Sequence, residues 1–502
     1  MRWALNVSSS YLKFGLSMLV VFLMTPYIVG EIGLDRFGLW SLLFAVIGVF
    51  GLLDLGFATA GVKYVAEALG QGDHHQRNRV VSTLFYLYCA LGVACGVIVL
   101  ATATTSSHWF RLEPSMTTEF KTALTILGLA LAASLPLSVF RSAMTGIGDV
   151  TIVNLCAIVS VLAQATLTVV LLERGMGIAG LAVAAGVNML LQSVLLIPLC
   201  YRRLPQFSLS PKHFSRQDLR ELASFSVYAF LANVAVLLIL RIDPVVINMF
   251  LPLGAIAVYA IAVRIAEYAF LLNKQFSNAL MPLVSQSKGR GDDETIVRVL
   301  CDGTRFLLGI ALPFLFILIF FAPELVVFWM GSEFAPSAPL LRLLLVATVL
   351  SVLQLNAANV LAMTGSHRFV AFAMLGSAGL NLVLSVVLVQ RYGLSGVAVA
   401  TLIAAAMVEV GLIIPFACRA QRITFVDWVR QAVWPSVPPL IPMIATLVWM
   451  DAIHPVQGFV GLALQSAMAG LVYWFGFWVF AVQPQERDWV RHHARSFRAV
   501  RT

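Results

Sequence analysis

Ala143-Met144-Thr145-Gly146 returns as Ala362-Met363-Thr364-Gly365, an offset of 219 residues. Gly177-Ile178-Ala179-Gly180-Leu181-Ala182-Val183-Ala184 returns as Gly393-Leu394-Ser395-Gly396-Val397-Ala398-Val399-Ala400, an offset of 216. Leu52-Leu53 followed by Phe57 returns as Leu271-Leu272 followed by Phe276, again at 219. A single match means little in so apolar a chain. Three in the same order at nearly one offset point to an internal duplication. In a membrane chain a duplicated half predicts a transporter, with its binding site where the halves meet.

The chain has 502 residues, 60% of them hydrophobic and 11% charged, with a mean hydropathy of +0.91. No soluble domain needs so much apolar sequence, so the predicted class is an all-α polytopic membrane protein. A span takes roughly 20 apolar residues, and about fourteen segments satisfy that rule. They run from 12–30 and 38–60, through 224–250 and 254–284, to 433–451 and 458–481. No small-residue cleavage site follows the first segment, which reads as a retained helix. With the N-terminus placed in the cytoplasm, twenty-one Lys and Arg face inward. Five face outward: Arg36, Arg111, Lys121, Arg174 and Arg391. The positive-inside rule then puts both termini in the cytoplasm.

Six helices per half make both halves enter from the same side, so the repeats are predicted to be parallel. The expected organisation is an N-lobe over 1–210, a C-lobe over 211–420, and two further helices with a basic tail over 421–502. Tyr201–Arg220, with Pro205, Pro211 and five basic residues, reads as the cytoplasmic linker. The net charge of +9 belongs mostly to cytoplasmic loops and tail, so nucleic acid is not an expected partner. The tail Glu486–Thr502 is placed to lie on anionic headgroups or to be a solvated terminus. None of the six cysteines forms a CxxC or falls in an external loop, so no disulfide, metal or cofactor is expected. No loop is large enough to fold as a catalytic domain, and the chain reads as a non-enzyme.

The eighth segment is the informative one. Arg264, Glu267, Tyr268, Lys274, Gln275 and Asn278 interrupt an otherwise apolar helix. At 3.6 residues per turn all six fall within a stripe roughly 120° wide, with Asn273 off it. A charge at mid-bilayer costs about 2.5–3.5 kcal/mol, whereas an apolar residue returns only about 0.3–0.6. The stripe is therefore expected to face a water-filled cavity or another polar helix. Two bases against one acid leave it cationic, which fits a phosphate or carboxylate: Arg264 offers a bidentate fork and Lys274 a point charge. The plainer account is an internal pair between Arg264 and Glu267, three residues apart. Lys274 can equally snorkel.

Arg241 and Asp243 precede Pro244, which loosens the helix and can open a break that both line. Lys13 opens the first helix and either snorkels or lines the cavity. Asp54 either carries a proton or caps backbone. Arg141 and Glu409 lie near cytoplasmic ends and are expected to snorkel. Gln354, Asn356 and Asn359 are expected to bond between helices. At the 219 offset Arg264, Glu267, Gln275 and Asn278 map to Ala45, Gly48, Gly56 and Thr59, so one half supplies room where the other supplies charge.

Three stretches carry a family likeness. They are Pro26 to Asp73, with Gly33-Leu34-Asp35-Arg36-Phe37-Gly38-Leu39-Trp40, Leu52-Leu53-Asp54-Leu55-Gly56 and Val65-Ala66-Glu67; Asp243 through Tyr259, with Gly254; and Ala322-Pro323-Glu324 through Phe334. With these the chain resembles the polysaccharide/O-antigen flippases of the multidrug/oligosaccharidyl-lipid/polysaccharide exporter superfamily. The resemblance implies a V-shaped bundle of two six-helix lobes plus two helices in the bacterial inner membrane. It implies transfer of an undecaprenyl-diphosphate-linked oligosaccharide for O-antigen, capsule or exopolysaccharide synthesis, alongside other assembly proteins. Proton or sodium coupling is also implied, with Glu267, Asp54 and Asp243 as candidates. Rival readings are a multidrug antiporter, which would prefer an acidic or neutral cavity, and a peptidoglycan-precursor flippase, which would carry more basic residues in its first two helices. A glycosyltransferase or polymerase would show acidic residues in a large external loop.

Overall fold

The computed structural model describes residues 2–482, apart from 111 and 205, together with 486. Arg111 and the basic tail beyond 486 lie outside the described residues. Among the described residues there are helices and no strands. Eleven helices are long and apolar enough to cross a membrane, by length and composition. Helix is the expected answer, because in hydrocarbon a segment must satisfy its own backbone polar groups. The protein is a multi-pass membrane protein.

The chain divides into two compact units, Met1–Ala260 and Ile261–Thr502. The first holds α1 (Arg2–Ile32), α2 (Leu34–Gly51), α3 (Phe57–Gly70), α4 (His74–Trp109), α5 (Pro114–Gly146), α6 (Val150–Glu173), α7 (Gly177–Arg203), α8 (Arg216–Arg241) and α9 (Asp243–Phe250). Helix α10 (Leu253–Arg290) begins in this unit and continues into the second. Here α5 packs against α4 and α7, and α6 against α1 and α7. The second unit adds α11 (Asp293–Arg298), α12 (Thr304–Phe320), α13 (Ala322–Met330), α14 (Ser337–Leu361), α15 (His367–Ala404), α16 (Ile414–Ala420), α17 (Phe425–Trp428), α18 (Leu440–Ile453) and α19 (Gly458–Phe480). Its apolar centre includes Leu300, Val360, Ile413 and Trp428, whose indole N–H donates to the Leu300 carbonyl at 3.3 Å. Large side chains such as Val93, Val97, Leu464 and Phe475 stay exposed, as suits lipid and not water.

Two expected spans are interrupted. The segment read as 38–60 stops at Gly51, tightens through a 3₁₀ turn over Leu52–Asp54, and restarts at Phe57. Leu55 and Gly56 have φ of 52° and 78°, which no right-handed helix accommodates. The segment read as 224–250 stops at Arg241 and restarts at Asp243, with Pro244 in the first turn of α9. A proline there gives up an amide that the helix start leaves unpaired anyway.

The local geometry repeats with the sequence. Gly177 and Gly393 both have positive φ, 51° and 57°. Gly393 breaks α15, and three residues after each of these glycines Gly180 and Gly396 are pressed against the helical stretch that precedes the break. A Cβ on Gly180 would lie 3.0 Å from Leu171 Cβ, and one on Gly396 would lie 2.3 Å from the Leu388 carbonyl oxygen. Unit two also contains π-type stretches at Val299–Gly303, Ala405–Ile413 and Val429–Val433, and a break between α14 and α15 where Gly365 has a φ of 101°. Between α10 and α11, Asp292 caps the helix, accepting from the Thr295 hydroxyl at 2.6 Å and amide at 3.0 Å. Those bonds hold its carboxyl below the usual carboxylate range.

The tightest helix approach in unit one is at Gly38, where a Cβ would sit 2.1 Å from the Leu253 carbonyl oxygen. No rotamer relieves a clash with backbone, so Gly38→Val is expected to cost about 3 kcal/mol or more. Membrane-fraction yield and detergent melting temperature should both fall, and unchanged values would contradict this packing.

Candidate functional site

Helix α10 is built with two opposed faces. Ala262, Ala266, Ala269, Asn273, Ser277 and Val284 are buried, and they recur every three, four or seven residues. Small residues on this face let neighbouring helices approach. The Ser277 hydroxyl donates to Asn356 Oδ1 at 2.5 Å, and Asn359 Nδ2 donates to Ser277 Oγ at 2.8 Å. Asn356 Nδ2 reaches Thr304 Oγ1 at 3.4 Å, so α10, α12 and α14 share one buried polar network. Asn273, the residue off the stripe, belongs to this packed face and donates to its own helix at the Ala269 carbonyl, 2.8 Å away.

The predicted stripe lies on the other side of the helix, roughly 160° from the packed face by helical periodicity. Arg264, Glu267, Tyr268, Gln275 and Asn278 are half-buried and Lys274 is exposed. Arg264 forms no hydrogen bond or ion pair with any described residue, so the plain account of an Arg264–Glu267 pair is not what the structure holds. Lys274 Nζ lies 6.0 Å over the Phe270 ring one turn back. A half-buried guanidinium and an ammonium without carboxylate partners keep their donors available for an anion.

The remaining predicted residues lie in unit one. Arg241 is half-buried and lies along Gly48, its Cγ 3.6 Å from where a Cβ on Gly48 would stand. Leu237 fills the same space at 3.5 Å. The room left by Gly48, the repeat equivalent of Glu267, is thus taken by side chains of its own unit. Asp54 holds the break between α2 and α3: its Oδ1 accepts from the Tyr88 hydroxyl at 2.5 Å and its Oδ2 from the Gly56 amide at 3.1 Å. Asp243 is buried at the start of α9. One of its oxygens accepts from the Tyr259 hydroxyl at 2.8 Å, and Oδ1 has no partner. Lys13 is half-buried on α1, near enough to Arg141 for the two cations to repel.

Two expectations are corrected. Glu409 does not snorkel: it is 8% exposed, within the π-type stretch Ala405–Ile413 and beside Ser351 of α14. Gln354 is buried with its Oε1 unpartnered, while Asn356 and Asn359 bond between helices. The tyrosines that serve Asp54 and Asp243 were not singled out as their partners, since neither spacing, 34 or 16 residues, carries a local signal.

A family profile described as polysaccharide biosynthesis protein matches residues 32–339. EpsK of Bacillus subtilis (strain 168), named an uncharacterized membrane protein, is 23% identical over 348 residues, 68% of either chain. Agl15 of Haloferax volcanii, whose name describes a low-salt glycan biosynthesis flippase, is 25% identical over 198 residues, 39% of this chain and 42% of its own. Among solved structures, the lipid II flippase MurJ in an inward closed conformation aligns with a TM-score of 0.70 at 14% identity. That alignment covers 97% of this chain and 100% of the other. At such identity the likeness establishes a common fold.

Proposed function

The chain belongs to the polysaccharide biosynthesis protein family, and from that membership we propose that it is a flippase for a lipid-linked glycan. In the finer reading, it moves an undecaprenyl-diphosphate-linked oligosaccharide across the bacterial inner membrane by alternating access, with both termini cytoplasmic. The N-lobe over 1–210 and the C-lobe over 211–420 are the moving halves, and 421–502 is an appendage.

One observation carries this reading. The stripe on α10 puts Arg264 and Lys274 on the side away from the packed interior of their unit, with no carboxylate among the described residues paired to Arg264. Charges so placed cost several kcal/mol unless water or an anion meets them. A diphosphate fits: Arg264 grips two oxygens, Lys274 adds charge, and Tyr268, Gln275 and Asn278 hydrogen-bond phosphate or sugar. Arg241 and Lys13, which belong to the first unit, are the other basic candidates for substrate contact. The relatives named for a function are flippases or transporters, which supports a transporter and not an enzyme. For ion coupling, Asp243 is the preferred acid among Glu267, Asp54 and Asp243. Its buried, unpartnered oxygen has room for a carried proton, whereas Asp54 is committed at both oxygens.

The test is complementation in a strain lacking its own polysaccharide flippase. Expression is expected to restore surface glycan and to leave resistance to cationic dyes unchanged. Raised dye resistance without glycan would replace this reading with drug export.

A further inference from the structure

The segment between α7 and α8, read from sequence as a polar linker, is strapped onto the start of α4, and all three lie in unit one. Asn78 Nδ2 donates to the Gln206 carbonyl at 2.6 Å, and the Ser82 hydroxyl to the Ser208 carbonyl at 3.4 Å. In return Ser82 Oγ accepts from the Ser210 amide at 3.3 Å, and Thr83 Oγ1 from the Ser215 amide at 3.1 Å. Asn78, Ser82 and Thr83 are buried. Phe207 is the apolar anchor, its ring centroid 5.1 Å from that of Tyr201 and 6.1 Å from that of Phe140. Gln206 has a φ of 55°, a left-handed conformation that a residue other than glycine keeps only when its surroundings hold it there. The Asn78 bond does the holding.

Asn78 is itself positioned by a charge. Arg77 is 1% exposed and aims its guanidinium at Asn78 Oδ1, with Nε 3.4 Å and Nη2 3.3 Å away. Its Nη1 lies 3.2 Å from His74 Nδ1. Arginine has donors and no acceptor, so His74 Nδ1 must accept and can carry no proton. A proton there would set two cations in contact and put a donor where the bond needs a lone pair. The acids on the surrounding elements are engaged elsewhere. Asp73 accepts from the Gln76 amide at 2.8 Å, and Glu67 of α3 pairs with Lys63 at 3.6 Å. On α8, Asp218 pairs with Arg79 at 3.2 Å, and Glu221 accepts from Gln217 at 3.3 Å. The other charged or titrating groups on the elements packed here are His75 of α4, Tyr64 of α3, Arg141 of α5, Lys212 and His213 of the strap, and Arg216 and Arg220 of α8.

We propose that His74 is a proton sensor that releases this strap. Neutral His74 accepts from Arg77, Arg77 orients Asn78, and Asn78 clamps Gln206. Protonated His74 repels Arg77, the clamp opens, and Gln206 leaves its left-handed conformation. Because only the open strap accommodates the proton, the docked strap loses stability as pH falls. Histidine is the side chain that changes charge under mild acid, which makes the device responsive near physiological pH. By the charge pattern of the loops this face is cytoplasmic, so the proton comes from the cytoplasm. Nothing in the device depends on which substrate the protein moves.

Amide hydrogen exchange on the full chain in phosphatidylcholine nanodiscs, at about pH 7.5 and about pH 5.5, reads the strap directly. After correction for the intrinsic pH dependence of exchange, amides of residues 207–215 in the wild type should exchange about tenfold faster at the lower pH. His74→Asn keeps an acceptor near the Nδ1 position and takes no proton, so its strap should stay protected at both. His213, whose Nδ1 is buried without a partner, is the competing sensor, and His213→Gln should behave as the wild type does. Asn78→Ala, which removes the clamp, should exchange fast at both pH values. Equal protection of the wild-type strap at both would overturn the proposal. So would an acid-induced rise of the same size in wild type and His74→Asn, whether confined to the strap or spread over the unit. Acid sensitivity kept in His74→Asn and lost in His213→Gln would move the sensor onto the strap and overturn the role of His74. Full protection with an intact acid response in Asn78→Ala would remove the clamp.

Discussion

Replacing Arg264 by alanine is expected to leave the protein in the membrane at its normal level and to remove surface polysaccharide from a dependent strain. Insertion should not suffer, because deleting a mid-bilayer charge removes a cost of about 2.5–3.5 kcal/mol. Folding should not suffer either, since Arg264 makes no hydrogen bond or ion pair with any described residue. What is lost is a charge-assisted fork on the substrate. Truncating one partner of a buried charge pair costs about 2–5 kcal/mol, a factor of roughly thirty or more in affinity. Arg264→Lys should recover part of the activity, keeping the charge but not the planar fork. The readouts are glycan immunoblot and protein level in the membrane fraction. Normal polymer from Arg264→Ala would remove the stripe from the mechanism.

Arg305→Ala should act on stability instead. Arg305 is 3% exposed and sits at the start of α12. Its guanidinium pairs with Asp302 at 3.2 Å and with Glu486, and it stacks 5.2 Å over Phe306. Truncation leaves two carboxylates facing a void where a cation stood. Breaking a buried pair from one side costs about 3–5 kcal/mol, and partial exposure of both acids favours the lower end. For a unit of this size the melting temperature should drop by about 5–10 °C. Arg305→Met, which keeps the stem, should lose less. Equal melting of Arg305→Ala and wild type would show that the pairing contributes nothing.

The fold class was legible because hydrocarbon permits few backbone solutions and composition reveals the solvent. The stripe on α10 was legible because its residues share one helix, where spacing alone fixes the face. Asp54 shows the limit. Its candidate roles were visible, but its partner Tyr88 comes from another helix, and only folding brings the hydroxyl to 2.5 Å. Glu409 was misread because nearness to a helix end suggests a carboxyl that reaches water, whereas the fold buries it beside Ser351 of α14.

The network behind α10 restricts how this protein can move. Twisting the helix about its own axis to carry Arg264 elsewhere would tear Ser277 from Asn356 and Asn359. Each polar group so stranded in a dry setting costs about 1–3 kcal/mol. Swivelling is therefore disfavoured, and α10, α12 and α14 should travel as one block, bringing the charged face along without turning it. A cargo held there would be conveyed by tilting of that block and not handed from rotamer to rotamer.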